Sequence, residues 1–211
     1  SGTTNIIDNG VIVAKYFRYN LSGSAKEITV PIMDTTIVTD VPDKQYPYTM
    51  RSYSFSTNPF NEGWTQENSS SVSDSGWKFN TDYYEIRSAS YSSGVFTPDA
   101  RLYTPEIVVP KAGGSFIIEA VFYSTANGTY GDQLDFYIQE KVGESWITGE
   151  KYYTYVMTAD NYETYTPVTI DLVGYENKTV RIMMHHNVGY GYGVSVDNAF
   201  FYGYNFATAQ S

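Results

Sequence analysis

Apolar and polar residues alternate along most of the chain, which is the pattern of strands that turn one face toward a core. No long stretch shows the spacing of apolar residues by three and four positions that an amphipathic helix needs. The alternation predicts twelve strands, at Val11–Tyr19, Lys26–Met33, Thr36–Val41, Tyr48–Ser56, Tyr83–Ser90, Arg101–Val109, Ser115–Ser124, Gln133–Val142, Trp146–Met157, Thr166–Leu172, Lys178–His186 and Val194–Tyr202.

Many short strands joined by Gly, Pro and Asn turns are typical of a two-layered β-protein. The sequence therefore predicts an all-β fold, a jelly-roll β-sandwich of the galactose-binding-like or concanavalin-like kind. A polar breaker at residues 41–44 divides the chain. Residues 1–45 are expected to add extra N-terminal strands that pack on the main sandwich of residues 46–211, because three short strands rarely bury enough surface alone.

Composition narrows the function classes. Of the 211 residues, 42% are hydrophobic and 17% are charged, which favours an ordered globular chain. The net charge of −10 disfavours nucleic-acid binding, since an acidic surface repels phosphate. No apolar run is long enough to span a bilayer, so membrane insertion by this segment is not expected. The chain has no cysteine, which excludes disulfides, thiolate metal sites and a thiol nucleophile.

Two segments match a known pattern. One is LYTPEIVVP at residues 102–110, and the other runs from VTIDLVGYENKTVRIMMHHN at 168–187 to VSVDNAFF at 194–201. With the FNEGW sequence at 60–64, they resemble the cleaved-adhesin and choice-of-anchor J family of bacterial jelly-roll modules. The chain departs from the family pattern in three places: residues 174–177 lack the usual serine, His185 stands where the family has arginine, and Asn198 replaces a second aspartate.

The resemblance implies a jelly-roll module of a larger bacterial envelope protein, at the cell surface or secreted, with anchoring as a lipoprotein among the expectations. It implies a non-catalytic module for carbohydrate binding or adhesion, whose partner is a glycan or a host or cell-surface protein. The alternative is a protein-binding or structural spacer module of a surface assembly. The third and last hypothesis is a glycoside-active enzyme.

The resemblance also implies a structural calcium ion in several members. Calcium prefers six to eight oxygen ligands from carboxylates, amides and carbonyls. The family's closing strand aligns with Asp197, and Asn198 offers an amide oxygen beside it. In a jelly roll the last strand tends to lie near the first, which leads into Asn58 and Glu62. These four residues are the predicted calcium ligands.

Exposed aromatic rings are the candidates for ligand binding. Sugar sites on β-sandwiches stack aromatic faces on the C–H groups of the sugar, and polar groups fix its orientation. The richest aromatic loop is VGYGYG at 188–193, where the glycines that flank Tyr190 and Tyr192 let the backbone turn freely. Trp64, Trp77 and Tyr130 complete the predicted ligand-binding set.

Catalytic signals are weak. The chain has no nucleophile elbow, no zinc-protease motif and no phosphate-binding glycine loop, so no catalytic residue is predicted. A glycosidase needs only two carboxylates, and Glu119 and Asp135 on alternating strands are such a pair. Adjacent strand residues point to opposite faces, so His185 and His186 are not expected to bind one metal ion.

Overall fold

The structure is a computed structural model that describes residues 5–8, 11–15, 46–123 and 130–205. The chain divides into two compact units, residues 1–46 with 206–211, and residues 47–205. In the first unit, β1 (Asn5–Asp8) and β2 (Val11–Lys15) form an antiparallel hairpin. The predicted strands at 26–33 and 36–41 lie outside the described residues, and the packing of residues 1–45 on the main body stays a prediction.

The second unit contains two six-stranded sheets. The strands of the first, called here sheet I, are β4 (Thr65–Asn68), β9 (Ala100–Tyr103), β10 (Ile107–Val108), β12 (Gln133–Val142), β13 (Ser145–Val156) and β15 (Thr179–Val188). They lie in the order β13-β12-β15-β9-β4, with β10 beside β15. All the described pairs of this sheet are antiparallel.

The strands of sheet II are β3 (Tyr46–Tyr53), β5 (Trp77–Asn80), β6 (Glu85–Ser88), β11 (Gly114–Phe122), β14 (Thr166–Asp171) and β16 (Val194–Asn205). They lie in the order β14-β11-β16-β6-β5, with β3 also beside β16. A two-stranded hairpin, β7 (Tyr91–Ser92) with β8 (Gly94–Val95), follows β6. A 3-10 turn at Pro59–Glu62 follows β3.

The apolar and polar residues that alternate in the sequence lie on opposite faces of each sheet. Along β11, Phe116, Ile118, Ala120 and Phe122 are fully buried and join the core. The intervening residues face outward on sheet II, so a side chain's position in the alternation sets its face. The all-β jelly-roll prediction is confirmed. Among the described residues no helix has the length and apolar content needed to cross a membrane.

The Ser-rich segment 61–80 contains a link between the sheets. Trp77 begins β5 of sheet II, and its indole Nε1 donates to the carbonyl of Ala100 in sheet I at 3.1 Å. Its backbone N–H donates to Oε1 of Gln66 in β4 at 2.8 Å. The Trp77 side chain is fully buried. This ring therefore closes one edge of the sandwich.

Candidate functional site

Exposed tyrosines gather where several loops meet beside sheet II. Tyr91, Tyr130, Tyr190 and Tyr192 are 38%, 39%, 45% and 37% exposed and form what we call the tyrosine patch. The rings of Tyr91 and Tyr192 stack with their centroids 4.6 Å apart. A Cβ atom at Gly131 would overlap with Tyr190, so the 130–131 and 190–192 segments lie against each other. Three of the predicted ligand-binding residues are thus brought together.

A groove of about 310 Å³ lies next to the patch, along β5 and β6. Arg87 connects the two, because it lines the groove and its Nη2 donates to the Tyr192 carbonyl at 3.2 Å. Ser92, the neighbour of Tyr91, donates to Asp74 on the groove wall at 2.5 Å. The groove combines charged, amide and aromatic side chains and is lined by Asp74, Gly76, Lys78, Phe79, Asn80, Thr81, Arg87 and Ala89.

These groove residues and Tyr91 were missed by the sequence prediction. Tyr91 lies in a Ser-Tyr-Ser-Ser-Gly hairpin, where an aromatic ring among turn residues is a weak signal for exposure. Arg87 and Asp74 are ordinary surface charges in the sequence. Only the packing of β6 beside the 190–192 loop places Arg87 at this junction.

A buried polar network lies beneath the patch. Ser88, Asp132 and His186 are all fully buried. The Ser88 hydroxyl contacts His186 Nδ1 at 2.8 Å, and Asp132 Oδ1 contacts His186 Nε2 at 3.4 Å. The second Asp132 oxygen accepts from the backbone N–H of Gly193 at 3.0 Å. The network joins the 130–132 segment to the loop that bears Tyr190 and Tyr192.

Serine, histidine and aspartate also form hydrolase triads, but this group has no access for a substrate. All three side chains are enclosed, so no acyl group could reach the hydroxyl. What the arrangement can do is pair buried polar groups and fix two loops. The expected separation of the two histidines is confirmed, since His185 Nε2 contacts Asp99 at 2.7 Å while His186 points into the core.

Trp64 and Trp77 differ from their predicted role in ligand binding. They are 1% and 0% exposed and belong to the core. Trp64 meets the rings of Tyr53 and Phe55 edge-on, with centroids 5.5 and 5.2 Å away. Both indoles pack inside the core, so neither offers a face to a sugar in this structure.

Three carboxylates form a row on the outer face of sheet II. Asp197 pairs with Glu119 of β11, and Glu85 lies one position beyond the Ile86–Val196 pair on the other side. Glu85 is fully buried and accepts hydrogen bonds from the hydroxyls of Tyr123 and Tyr165. Burial raises the pKa of Asp197 to about 6, and Glu119 and Glu85 add to the rise.

The four predicted calcium ligands fall into two groups. The Asn198 amide donates to Glu119 at 2.8 Å and to Asp197 at 3.1 Å, so its nitrogen, not its oxygen, faces the carboxylates. Asn58 caps the 3-10 turn by accepting from the Phe60 N–H, and Glu62 accepts from Thr57. No hydrogen bond between described residues joins the two groups, and no cluster of three or more Asp, Glu or His suits a metal there.

In this arrangement the four residues do not fit one calcium site. Asn198 lies at the bulge between β11 and β16 and has a φ of 46°. This backbone conformation turns its side chain toward the neighbouring carboxylates, and its amide nitrogen takes the place that a metal ligand's oxygen would need. Glu119 and Asp135 do not form a catalytic pair either. Glu119 lies on the outer face of sheet II, and Asp135 is held by Lys151 and Thr154 on sheet I. Calcium itself stays a prediction of the resemblance.

The acidic row predicts a contribution to stability that is larger in mild acid. The pKa of Asp197 rises from 3.8 to about 6 on folding, so this group binds more protons in the folded chain between those values. The stability that Asp197 contributes is therefore full below about pH 4 and is lost as pH rises through 6. Allowing for solvent screening, we expect a loss of about 1 kcal/mol, or roughly 2–4 °C in melting temperature.

Thermal melts at about pH 5 and pH 7.5 measure this effect. Asp197→Asn should melt higher than the parent protein at neutral pH, and the gap between the two proteins should be smaller at about pH 5 than at about pH 7.5. Equal pH dependence in both proteins would contradict the assignment to Asp197. The same melts with calcium or a chelator added test the calcium prediction, because a bound ion raises the melting temperature of the folded state.

Known structures of similar fold include three domains of one protein. The K1 cleaved adhesin domain of Lys-gingipain from Porphyromonas gingivalis W83 is 20% identical with a TM-score of 0.57, over 72% of this chain and 97% of that domain. The K3 domain from the same organism is 15% identical with a TM-score of 0.56, over 73% and 99%. The K2 domain is 14% identical with a TM-score of 0.51, over 74% and 99%.

No family model matches the chain, and a search of curated proteins finds no match. At these identities the three domains establish the fold and not the activity. The matched share corresponds in length to the sandwich unit. The chain therefore has the jelly-roll sandwich fold of the Lys-gingipain cleaved adhesin domains.

Proposed function

We propose that this chain is a non-catalytic, carbohydrate-binding adhesive module that acts outside the cell or at the surface of a bacterial envelope. The observation behind the proposal is the groove beside the stacked Tyr91–Tyr192 pair, with Arg87 connecting the two. The solved relatives are named cleaved adhesin domains, which supports an adhesive role.

The chemistry of the site suits a sugar. A pyranose ring has apolar C–H faces and a polar rim of hydroxyls. Exposed tyrosine rings can contact the former, and Asp, Asn, Lys and Arg side chains can bond the latter. The loop that bears Tyr190 and Tyr192 is fixed at Gly193 by Asp132 of the buried network, and the Tyr192 ring stacks on Tyr91. A ring that is already held loses little conformational freedom on binding, which favours affinity.

A protein ligand is the alternative occupant. Tyrosine is also enriched at protein–protein interfaces, where its ring gives contact area and its hydroxyl gives a hydrogen bond. The groove favours the glycan, because its mixture of charged, amide and aromatic side chains and its small volume match one or two sugar rings better than a broad protein surface.

A glycan array followed by titration of the best ligand tests the proposal. Tyr192→Ala should raise the Kd roughly tenfold or more, because it removes one ring of the stacked pair and part of the apolar contact with the sugar. Arg87→Gln should also weaken binding, since it removes a groove donor and the contact to the 190–192 loop.

Tyr48→Ala is the matched control. Tyr48 is 40% exposed but lies on β3 against Gly203, outside the patch and the groove. It should leave glycan affinity unchanged. A correctly folded protein that binds no glycan on the array would contradict the proposal and favour the protein-binding alternative. Turnover of a chromogenic glycoside would contradict the proposal that the module is non-catalytic.

A further inference from the structure

The outer face of sheet I contains an arginine held between two aromatic rings. The guanidinium carbon of Arg181 in β15 lies 4.2 Å from the ring centroid of Tyr103 and 4.3 Å from that of Trp146. Tyr103 belongs to β9 and Trp146 to β13, so three strands build the stack. Such stacking orients a planar guanidinium and leaves its edge free for hydrogen bonds.

A buried glutamine fixes the rotation of the guanidinium. Nε of Arg181 donates to Oε1 of Gln139 at 2.7 Å, and the Gln139 amide is itself held by Thr148 at 2.8 Å. Gln139 is only 6% exposed. The two terminal nitrogens of Arg181 make no hydrogen bond or ion pair to any described residue. Two parallel N–H groups at the end of a fixed guanidinium match the two oxygens of a carboxylate.

The carboxylates nearest to this arginine already have other partners. Glu67 accepts from the Tyr103 hydroxyl at 2.8 Å, and Glu106 pairs with Lys141 at 2.9 Å. Burial lowers the pKa of Arg181, but an arginine keeps its charge at neutral pH. The stack is therefore a positioned, half-buried cation on a strongly acidic protein, with donor capacity that the described residues do not use.

We propose that the Tyr103–Arg181–Trp146 stack is a second binding site, which takes the carboxylate of an acidic sugar such as a uronic acid. The carboxylate would accept from the two terminal nitrogens of Arg181. The partly exposed Trp146 ring would lie beside the sugar's C–H groups. The stack lies on sheet I, whereas the groove and β6 belong to sheet II, so this site is independent of the one proposed above.

Intrinsic fluorescence gives a direct measurement, because Trp146 is the only tryptophan with an accessible ring. Trp64 and Trp77 are 1% and 0% exposed, so a ligand-dependent change reports on Trp146. The full chain is titrated with sodium glucuronate, with methyl glucoside as the uncharged sugar and sodium sulfate as the anion without a sugar ring. Glucuronate alone should give a saturable change.

Arg181→Gln should raise the Kd for glucuronate roughly 10- to 100-fold, the cost of losing a charge-assisted bidentate contact. Arg181→Lys keeps the charge but loses the two parallel N–H donors of the guanidinium, and should weaken binding by about tenfold. It serves as the second variant if the glutamine variant does not fold. Arg101→Gln is the control, because Arg101 is on the same face but pairs with Asp99 at 3.1 Å.

No fluorescence change with glucuronate overturns the proposal. So does an equal change with methyl glucoside or sulfate, since binding would then require only the ring or only the charge. Unchanged affinity in Arg181→Gln overturns it as well. None of these results depends on Tyr192, so failure here and failure of the tyrosine patch are measured separately.

Discussion

Replacing Trp77 by alanine is expected to lower the free energy of unfolding by about 3–5 kcal/mol. The indole is fully buried, so its loss leaves a cavity between the two sheets. It also removes the hydrogen bond that Nε1 donates to the Ala100 carbonyl. Urea denaturation followed by near-ultraviolet circular dichroism measures the change.

Trp146→Ala is the matched control for the first prediction. Trp146 is only partly buried and packs on Arg181 at the outer face of sheet I, so its loss should cost about 1 kcal/mol or less. Similar losses for the two variants would mean that Trp77 is not the core residue described here. A Trp77→Ala protein of unchanged stability and impaired glycan binding would restore the ligand-binding role predicted from the sequence.

Replacing Asp132 by alanine is expected to cost about 3 kcal/mol and also to impair ligand binding at the tyrosine patch. The variant leaves His186 Nε2 and the Gly193 N–H without an acceptor in a closed interior. Gly193 has a φ of 123° and lies next to Tyr192, so its release frees the loop that bears the patch. Urea denaturation gives the stability, and glycan titration gives the affinity.

Ser88→Ala is the control that distinguishes loss of the Asp132 contact to the loop from a general disturbance of core packing. It removes only the hydroxyl that contacts His186 Nδ1, so the expected loss is about 1 kcal/mol with the loop contact intact. Asp132→Asn keeps an acceptor for Gly193 and should recover most of the affinity. An Asp132→Ala protein with normal glycan affinity would show that the network does not position the patch.

The strands were predictable because successive residues of a strand point to opposite faces, so buried and exposed residues alternate along the sequence. β12 has the bounds that the alternation predicts, and β11, β13 and β14 agree to within two residues. The long segment 61–80 was harder to interpret. Its strands β4 and β5 have four residues each, too short for a clear period, and the indole at the start of β5 looks like a loop aromatic in the sequence.

The candidate sites were only partly predictable. Tyr190 and Tyr192 stand out in the sequence because glycines flank them. Arg87 and Arg181 do not, since arginine on a strand's outer face is usually just solvated. Their roles depend on partners 105 and 78 residues away, namely Tyr192 and Tyr103. The four predicted calcium ligands are not brought together for a related reason. At the bulge between β11 and β16, Asn198 has a φ of 46° and its amide nitrogen faces the carboxylates.

The sequence by itself determined the all-β class, the strands of the sandwich, the faces that form the core and the resemblance to cleaved adhesins. These follow from period-two burial and short local motifs, which need no knowledge of distant contacts. The tertiary structure alone decided which tryptophans are buried, which tyrosines gather in one patch and which arginine lies between two rings. Each depends on the pairing order of strands far apart in the chain, and that order is fixed by packing across the whole core.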